Sequence, residues 1–281
     1  MKLTRVIVAA GIAVSAAGTA MAQINVDAPI HSSYGSCPSC DLSNKRLNGM
    51  KLENANFAGS IFNNSNLSGG RFHGADLTGA HFRKALLYGF QADTVKMSGA
   101  VLEDATLTQS SITNSVMHMV DLRRANMTRG NFSKNDFRAA NLTAAKAVNV
   151  DFSGSNFEGA KLDDSNLQDA VLTGSNFKQA SFGQAVMLGS QMQGVDLSGA
   201  DLSSVLGLSQ VQLDTTCGDV DTQLPDGLFL PFCLEADKLE QDTELVETPA
   251  AISKKDKRPK KQKRKQKPVS DVPLLGFDQK P

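Results

Sequence analysis

Four cysteines are the residues of this sequence with the widest chemical repertoire. Cys37 and Cys40 form a C-P-S-C motif near the amino terminus, whereas Cys217 and Cys233 lie much further along the chain. Such residues bind zinc, carry out thiol redox chemistry or form disulfides. Haem attachment requires a histidine directly after the second cysteine of C-x-x-C, and Asp41 stands there instead. The even cysteine count favours disulfides in an oxidising compartment.

Beyond the cysteines, the sequence shows no grouping of side chains that suits catalysis or cofactor binding. The four histidines have no partners at the spacing of metal ligands: His31, His73, His81 and His118. No nucleophile, base and oxyanion donor are grouped, and no paired carboxylates mark a pocket. We therefore expect neither an enzyme nor a metal or cofactor.

A period of five residues positions almost everything between residues 40 and 204. Starting at Leu42 and ending at Leu202, the 33 central residues are 15 Leu, 10 Phe, 5 Met, 1 Ile and 2 Ala, with no insertion or deletion. The residue two places before each centre is Ala, Ser, Gly, Cys or Val in 29 of these 33 pentads. A period of five fits neither a helix nor a strand, so the chain must turn once per pentad. The repeat indicates a solenoid whose centres and small residues point inward.

These pentads resemble those of the pentapeptide-repeat family, A-(D/N)-L-x-x. The clearest examples are A-D-L-T-G at 75–79, A-N-F-A-G at 55–59, S-N-F-E-G at 155–159 and V-D-L-S-G at 195–199. The resemblance covers about 165 of the 281 residues. It implies an all-β fold, a right-handed quadrilateral β-helix with four pentads per coil, in which residues 20 apart stack.

Eight coils would then separate the two pairs of cysteines, which excludes a single four-cysteine zinc site. The pairs must be local, Cys37 with Cys40 and Cys217 with Cys233, and we expect them to be structural caps rather than redox sites. Because Cys40 occupies an inward position, a buried free thiol is the alternative for the first pair.

Stacking every 20 residues also predicts the core. Phe137, Phe157 and Phe177 fall in one inward column and should form an aromatic ladder. Phe90 stands at a small-residue position beside Ala92 at a centre, a size swap that predicts local distortion over residues 86–96.

The outward columns mostly carry opposite charges one coil apart, which indicates a solvated ladder. Some outward positions are apolar instead, and we expect a partner-binding patch where several of them lie close together; scattered apolar residues of no function are the alternative. The residues of this predicted patch are Ile61, His81, Leu86, Tyr88 and Val101.

The amino terminus reads as a bacterial secretory signal peptide over residues 1–22. Lys2 and Arg5 precede an apolar run at 6–17, and Ala20-Met21-Ala22 matches a cleavage site. The run is too short to span a bilayer, and no other segment is long and apolar enough. A buried amino-terminal helix is the alternative. The mature chain is therefore expected in the periplasm or outside the cell.

Two segments flank the repeats and a tail follows them. Residues 23–39 form a polar lead-in and cap, and residues 205–233 break the period and should cover the open end of the solenoid. Within the latter, residues 209–214 read as a short helix with Ser209 as its N-cap, and residues 224–230 as a segment that turns back across the end. This region resembles the cap that follows the repeats in exported family members.

The tail, residues 234–281, has no apolar periodicity and is expected to be disordered. Its acidic start, with six Asp or Glu and one Lys at 235–247, gives way to a basic run of net charge +9 at 254–267. Such a run suits polyanions without sequence specificity, here anionic lipid or polysaccharide of the envelope ahead of nucleic acid. A solubilising role and binding to the acidic body of the protein are the alternatives. The basic residues are Lys254, Lys255, Lys257, Arg258, Lys260, Lys261, Lys263, Arg264, Lys265 and Lys267.

The sequence therefore predicts a non-enzymatic structural or protein-interaction module of the bacterial envelope or exterior. Its partner would be a protein or an anionic envelope component, and its oligomeric state is left open. One alternative is the DNA mimicry by which some family members protect topoisomerases, although that role needs a cytoplasmic protein with an acidic face. Another is a secreted effector whose basic tail binds polyanions.

Overall fold

The structure is a computed structural model that describes residues 35–233. Its elements are four short strands, β1 (Lys51–Glu53), β2 (Arg71–His73), β3 (Gln91–Asp93) and β4 (Ser111–Thr113), and one helix, α1 (Gln210–Leu213). The predicted signal peptide, most of the lead-in and the tail with its basic run lie outside the described residues. No helix in the described part of the chain has the length and apolar character needed to cross a membrane.

The strands build one parallel sheet in the order β1-β2-β3-β4, and each is offset from the next by one coil of 20 residues. Single parallel bridges with the same offset run along the other three sides of the coil. We call the four faces A to D, after His81 on face A, Leu86 on face B, Gln91 on face C and Lys96 on face D. The prediction of a right-handed quadrilateral β-helix is confirmed.

The corners between faces explain why the period is five. At the corner after Leu77, the backbone N–H of Ala80 donates to the Leu77 carbonyl oxygen at 3.0 Å, and Gly79 has a φ of 64°. This left-handed conformation favours glycine. Asp76, one residue before the centre, accepts a hydrogen bond from the backbone N–H of Thr78 at 3.0 Å. An Asp or Asn at this position of the repeat therefore stabilises its turn by accepting a bond from the backbone two residues on.

The core consists of the inward columns, and its aromatic ladder is as predicted. The ring centroids of Phe137 and Phe157 lie 4.7 Å apart, and those of Phe157 and Phe177 lie 4.6 Å apart. These distances equal the spacing of about 4.8 Å between neighbouring strands. The rings are nearly parallel, at 9° and 4°, because the backbone pairing of successive coils holds them in the same orientation.

The prediction of a local distortion over residues 86–96 is wrong. Strand β3 pairs in register with both neighbours, and Phe90 and Ala92 are both buried. The reason lies one coil earlier, at Gly70. A Cβ atom there would come within 3.1 Å of the Phe90 ring, so the absence of a side chain makes room for it. Phe90 also packs edge-on against Phe72 at 4.8 Å.

Asn135, like Phe90, stands where most pentads have a small residue. It is buried, and all its polar side-chain atoms are hydrogen-bonded. Its Nδ2 donates to the carbonyl oxygens of Ile112 and Phe132 at 2.7 and 2.8 Å. Its Oδ1 accepts a hydrogen bond from the backbone N–H of Ser115 at 2.8 Å. A polar side chain is tolerated in the core at this position because every group that it buries has a partner.

Both ends of the solenoid extend slightly beyond the sequence-based boundaries. The backbone N–H of Cys37 donates to the Asn56 carbonyl oxygen at 2.8 Å, as that of Leu42 does to Ile61, so Cys37 occupies the centre of one pentad before the predicted first one. At the other end, Leu206 still pairs with Val186 on face B. The chain then forms α1 with Ser209 as N-cap, as predicted, and continues as a looser coil that ends at Cys233.

Candidate functional site

Two disulfides lie at the two ends of the solenoid. Cys37 and Cys40 are joined across the first turn, so the alternative of a free thiol at Cys40 does not hold. Cys217 and Cys233 join the start of the looser coil to its end. The second bond fixes the cap, because Cys217 also pairs with Asp196 in the last regular coil.

Asp196 lies against the second disulfide but makes no metal site with it. Its Oδ1 is 3.3 Å from the Sγ of Cys233, and its Oδ2 is 3.2 Å from the Nζ of Lys178. Burial opposes ionisation of Asp196, but hydrogen bonds from Ser198 and the charge of Lys178 outweigh it and lower the pKa of this carboxyl. Because both sulfurs are bonded to each other, neither is available as a thiolate ligand.

The predicted partner patch is divided by a corner of the solenoid. Ile61, His81 and Val101 stack on face A, whereas Leu86 lies on face B and is followed by Tyr88 at the next corner. Leu86 and Tyr88 are about half exposed, but charged side chains occupy the corner between them and face A. The predicted column of Ile61, His81 and Val101 matches the observed stack, and a charged corner lies between it and Leu86; binding of a partner at these residues stays a prediction.

The corner between faces A and B holds the largest group of ion pairs among the described residues. The guanidinium of Arg124 donates to Asp104 at 2.8 Å and to Glu103 at 2.5 Å, and Glu103 also pairs with Arg83 at 3.2 Å. The hydrogen bonds to Asp104 and Glu103 raise the pKa of Arg124, and the hydrogen bond from Arg124 lowers the pKa of Asp104. The charges neutralise one another, so this shallow depression is not a strong site for a single ion.

The matches to protein-family models cover the same region as these coils. The model described as pentapeptide repeats matches in eight copies, over residues 40–79, 95–129, 136–174 and 165–203. The chain belongs to the pentapeptide-repeat family. The matches span more than half of the chain and coincide with the regular coils described above.

Solved structures similar to this pentapeptide-repeat protein belong to the same family. One is QnrB1, a plasmid-mediated fluoroquinolone resistance protein, with 17% identity over 76% of this chain and 96% of that chain and a TM-score of 0.39. Another is HetL of the cyanobacterium Nostoc sp. strain PCC 7120, involved in heterocyst differentiation regulation, with 23% identity over 70% and 85% and a TM-score of 0.27.

A third similar structure is a pentapeptide-repeat protein of the Arabidopsis thaliana thylakoid lumen, with 24% identity over 45% of this chain and 68% of that chain and a TM-score of 0.20. At these identities the likeness concerns the fold alone. A comparison with curated protein sequences found no match.

Sequence reasoning missed the most exposed large apolar side chains among residues 35–233 of this pentapeptide-repeat protein. They lie in the cap, where the period of five is lost and a residue's inward or outward direction does not follow from its position. The available signal was composition: residues 205–233 mix large apolar residues with four aspartates, without a regular spacing. The residues are Val211, Val220, Phe229 and Phe232.

Proposed function

We propose that this pentapeptide-repeat protein is a non-enzymatic structural or protein-interaction module of the bacterial envelope or exterior. The observation that supports this proposal best is the pair of disulfides at the ends of the solenoid. Disulfides persist in the periplasm and outside the cell and are rare in the cytosol. Together with the signal-peptide pattern of residues 1–22, they favour an exported protein.

The surface of the solenoid supports an interaction role rather than catalysis. Pentapeptide-repeat proteins are generally non-enzymatic structural or interaction modules. In the described coils the core is filled by side chains, and the ionisable groups at the corner of faces A and B bond to each other. A rigid rod with four flat faces presents binding surfaces to macromolecules more readily than a pocket to a small substrate.

The DNA-mimic alternative has less support from the described residues. Mimicry of the DNA backbone requires a continuous row of negative charges along the rod. Arg83 and Arg123 alternate with Glu103 in one column at the corner of faces A and B, and Arg124 lies next to them. These positive charges interrupt the row.

Export is tested by locating the protein in a Gram-negative host. The full chain is expected in the periplasmic or extracellular fraction, shortened at its amino terminus, with all four cysteines resistant to alkylation. The matched control is a chain that lacks residues 2–22, which should stay in the cytoplasm with reactive thiols. Recovery of the full chain from the cytoplasm at its original length would contradict the proposal.

The basic run supplies a second testable part of the proposal, an electrostatic attachment to anionic envelope components. Deleting residues 254–267 is expected to abolish binding to vesicles of anionic lipid at low salt and to leave the Tm of the solenoid unchanged. The reason is that ten Lys or Arg residues attract polyanions, whereas a segment without apolar periodicity adds nothing to the core.

The control for this deletion is a chain in which the order of residues 254–267 is reversed. Charge is conserved in that variant, so vesicle binding should persist and should fall steeply as salt is added. If the deletion leaves vesicle sedimentation unchanged, the run is a solubilising segment and the attachment role is wrong.

A further inference from the structure

The carboxy-terminal end of the described chain differs from the rest of the solenoid in its exposed apolar side chains. Val211, Val220, Phe229 and Phe232 are between 67% and 83% exposed. Along the remaining coils the large outward apolar residues are less exposed, at most 60% at Met119. A soluble protein rarely exposes several large apolar side chains in one region unless they bind something.

Charge also changes at this end. Between Asp41 and Lys178, Lys and Arg residues alternate with Asp and Glu residues in similar numbers. After Lys178, the chain contains no Lys, Arg or His up to Cys233. It contains six aspartates in that stretch: Asp196, Asp201, Asp214, Asp219, Asp221 and Asp226. Of these six, only Asp196 has a basic partner among the described residues, namely Lys178.

The helix side of this end brings apolar and acidic groups together. The Oε1 of Gln210 accepts the backbone N–H of Phe229 at 3.1 Å, and its Nε2 donates to Asp214 at 2.8 Å. Val211 follows Gln210 on α1 and lines a groove that also contains Leu188 and Gly207. Val211 and Leu188 therefore line one groove, and Gln210, the residue before Val211 in α1, connects the backbone of Phe229 to the Asp214 carboxylate.

The disulfide side shows the same combination. Phe232 pairs with Gly218, which is followed by Asp219, and Val220 lies between Asp219 and Asp221. Hydrogen bonds from the backbone of Gly199 and from Thr222 lower the pKa of Asp219, so this carboxylate is charged at neutral pH. We call the apolar residues Leu188, Val211, Val220, Phe229 and Phe232, with the aspartates around them, the cap surface.

We propose that the cap surface binds a cationic protein segment that carries apolar side chains. This inference rests on the proposed interaction role and adds to it the chemistry of the partner. The aromatic side chains would form the buried centre of the interface, as Phe and Tyr anchors commonly do. The aspartates would surround that centre and pair with Lys or Arg of the partner, which favours the correct partner and speeds its association.

Charge argues against the other occupants of an apolar surface. Two cap surfaces facing each other would bring two uncompensated groups of aspartates together, and like charges in an interface cost several kcal/mol. Nucleic acid and anionic lipid would be repelled for the same reason. A cationic segment is the class of partner that satisfies both the apolar and the acidic side chains.

The test measures binding of a fluorescent synthetic peptide composed of lysine and leucine to the full mature chain at low salt. The double variant Phe229→Ser/Phe232→Ser is expected to bind the peptide at least about tenfold more weakly, because it removes the two aromatic anchors. The variant Asp221→Asn/Asp226→Asn, at two exposed carboxylates with no ion pair in the described chain, should weaken binding and reduce its dependence on salt.

Matched controls separate this surface from general attraction to an acidic protein. Val116→Ser/Met119→Ser removes two exposed apolar side chains elsewhere on the rod, and Asp151→Asn/Asp164→Asn removes two charges there. Neither should change the affinity. A peptide of glutamate and leucine should bind only through the basic run, and so not at all to a chain that lacks residues 254–267, because its charge is of the wrong sign for the cap surface.

Three results would overturn the inference. The first is equal affinity of the intact chain and Phe229→Ser/Phe232→Ser. The second is equal loss of affinity in the variants of the cap surface and in their controls. The third is a dimer in sedimentation velocity that Phe229→Ser/Phe232→Ser dissociates, which would assign the surface to a second copy of the chain. Because export does not depend on these side chains, each of these results would leave the proposed function intact.

Discussion

Replacing Phe157 by aspartate (Phe157→Asp) is expected to lower the free energy of unfolding by about 5 kcal/mol or more, and so to leave most of the chain unfolded at physiological temperature. Phe157 is fully buried and stacks between Phe137 and Phe177 at 4.7 and 4.6 Å, with the edge of Phe152 at 5.0 Å. A carboxylate placed among these rings would have no hydrogen-bond donor and no counter-charge, which is the most costly kind of core substitution.

The neighbouring Glu158 supplies the matched control, since it is exposed at the next corner. Glu158→Asp should change the midpoint of urea unfolding only slightly. If Phe157→Asp does not yield soluble protein, Phe157→Ala should still fold and lose about 3–5 kcal/mol through the cavity that it leaves. Equal unfolding midpoints for the Phe157 and Glu158 variants would show that the inward column is assigned wrongly.

Most of this core follows from the sequence because one rule determines both position and neighbour. A residue's place within the pentad decides whether it points inward, and adding 20 gives the residue stacked on it. The ladder of Phe137, Phe157 and Phe177 and the stack of Ile61, His81 and Val101 on face A were predicted in this way. Few folds relate sequence distance to spatial distance so directly.

The period alone is not sufficient where more than one column matters. Distortion around Phe90 was expected from its own pentad, but the space for the ring comes from Gly70, which lies 20 residues earlier. The predicted patch combines residues of two faces, His81 on face A and Leu86 on face B, and the period did not indicate that the charged corner at Arg83 lies between them. Packing across coils and around corners depends on side-chain volume and direction, which the period alone does not specify.

Beyond Ser204 the rule no longer applies. The strict offset of 20 becomes 21 where Cys217 pairs with Asp196, and 22 where Gln223 pairs with Asp201. The segment with helix α1 accommodates the first extra residue and the turn between Cys217 and Gln223 the second. The sequence therefore indicates that a cap exists and where its helix begins, but not which side chains it exposes. The cap surface could therefore be found only from the structure.

Removing the disulfide of the cap, by Cys217→Ser together with Cys233→Ser, is expected to cost about 3 kcal/mol in the chain-entropy account for a loop of this length. The effect should be local, because a solenoid unfolds from its ends and each coil contacts only its neighbours. The amide of residue 217 donates to the Val195 carbonyl oxygen at 3.0 Å, and that of Gln223 to the Ala200 carbonyl oxygen at 2.9 Å. Hydrogen exchange at these two amides should accelerate by about a hundredfold.

The amide of Phe137, which donates to the Asn156 carbonyl oxygen at 2.7 Å in the middle of the rod, serves as the internal reference and should keep its protection. The corresponding removal of the first disulfide, by Cys37→Ser together with Cys40→Ser, should cost less, about 2 kcal/mol, because that bond closes a much shorter loop. Unchanged exchange at residues 217 and 223 would mean that hydrogen bonds and Leu213 hold the cap without the disulfide. Accelerated exchange at Phe137 to the same extent would mean that the cap and the coils unfold as one unit, so that closure of this end determines the stability of the whole solenoid.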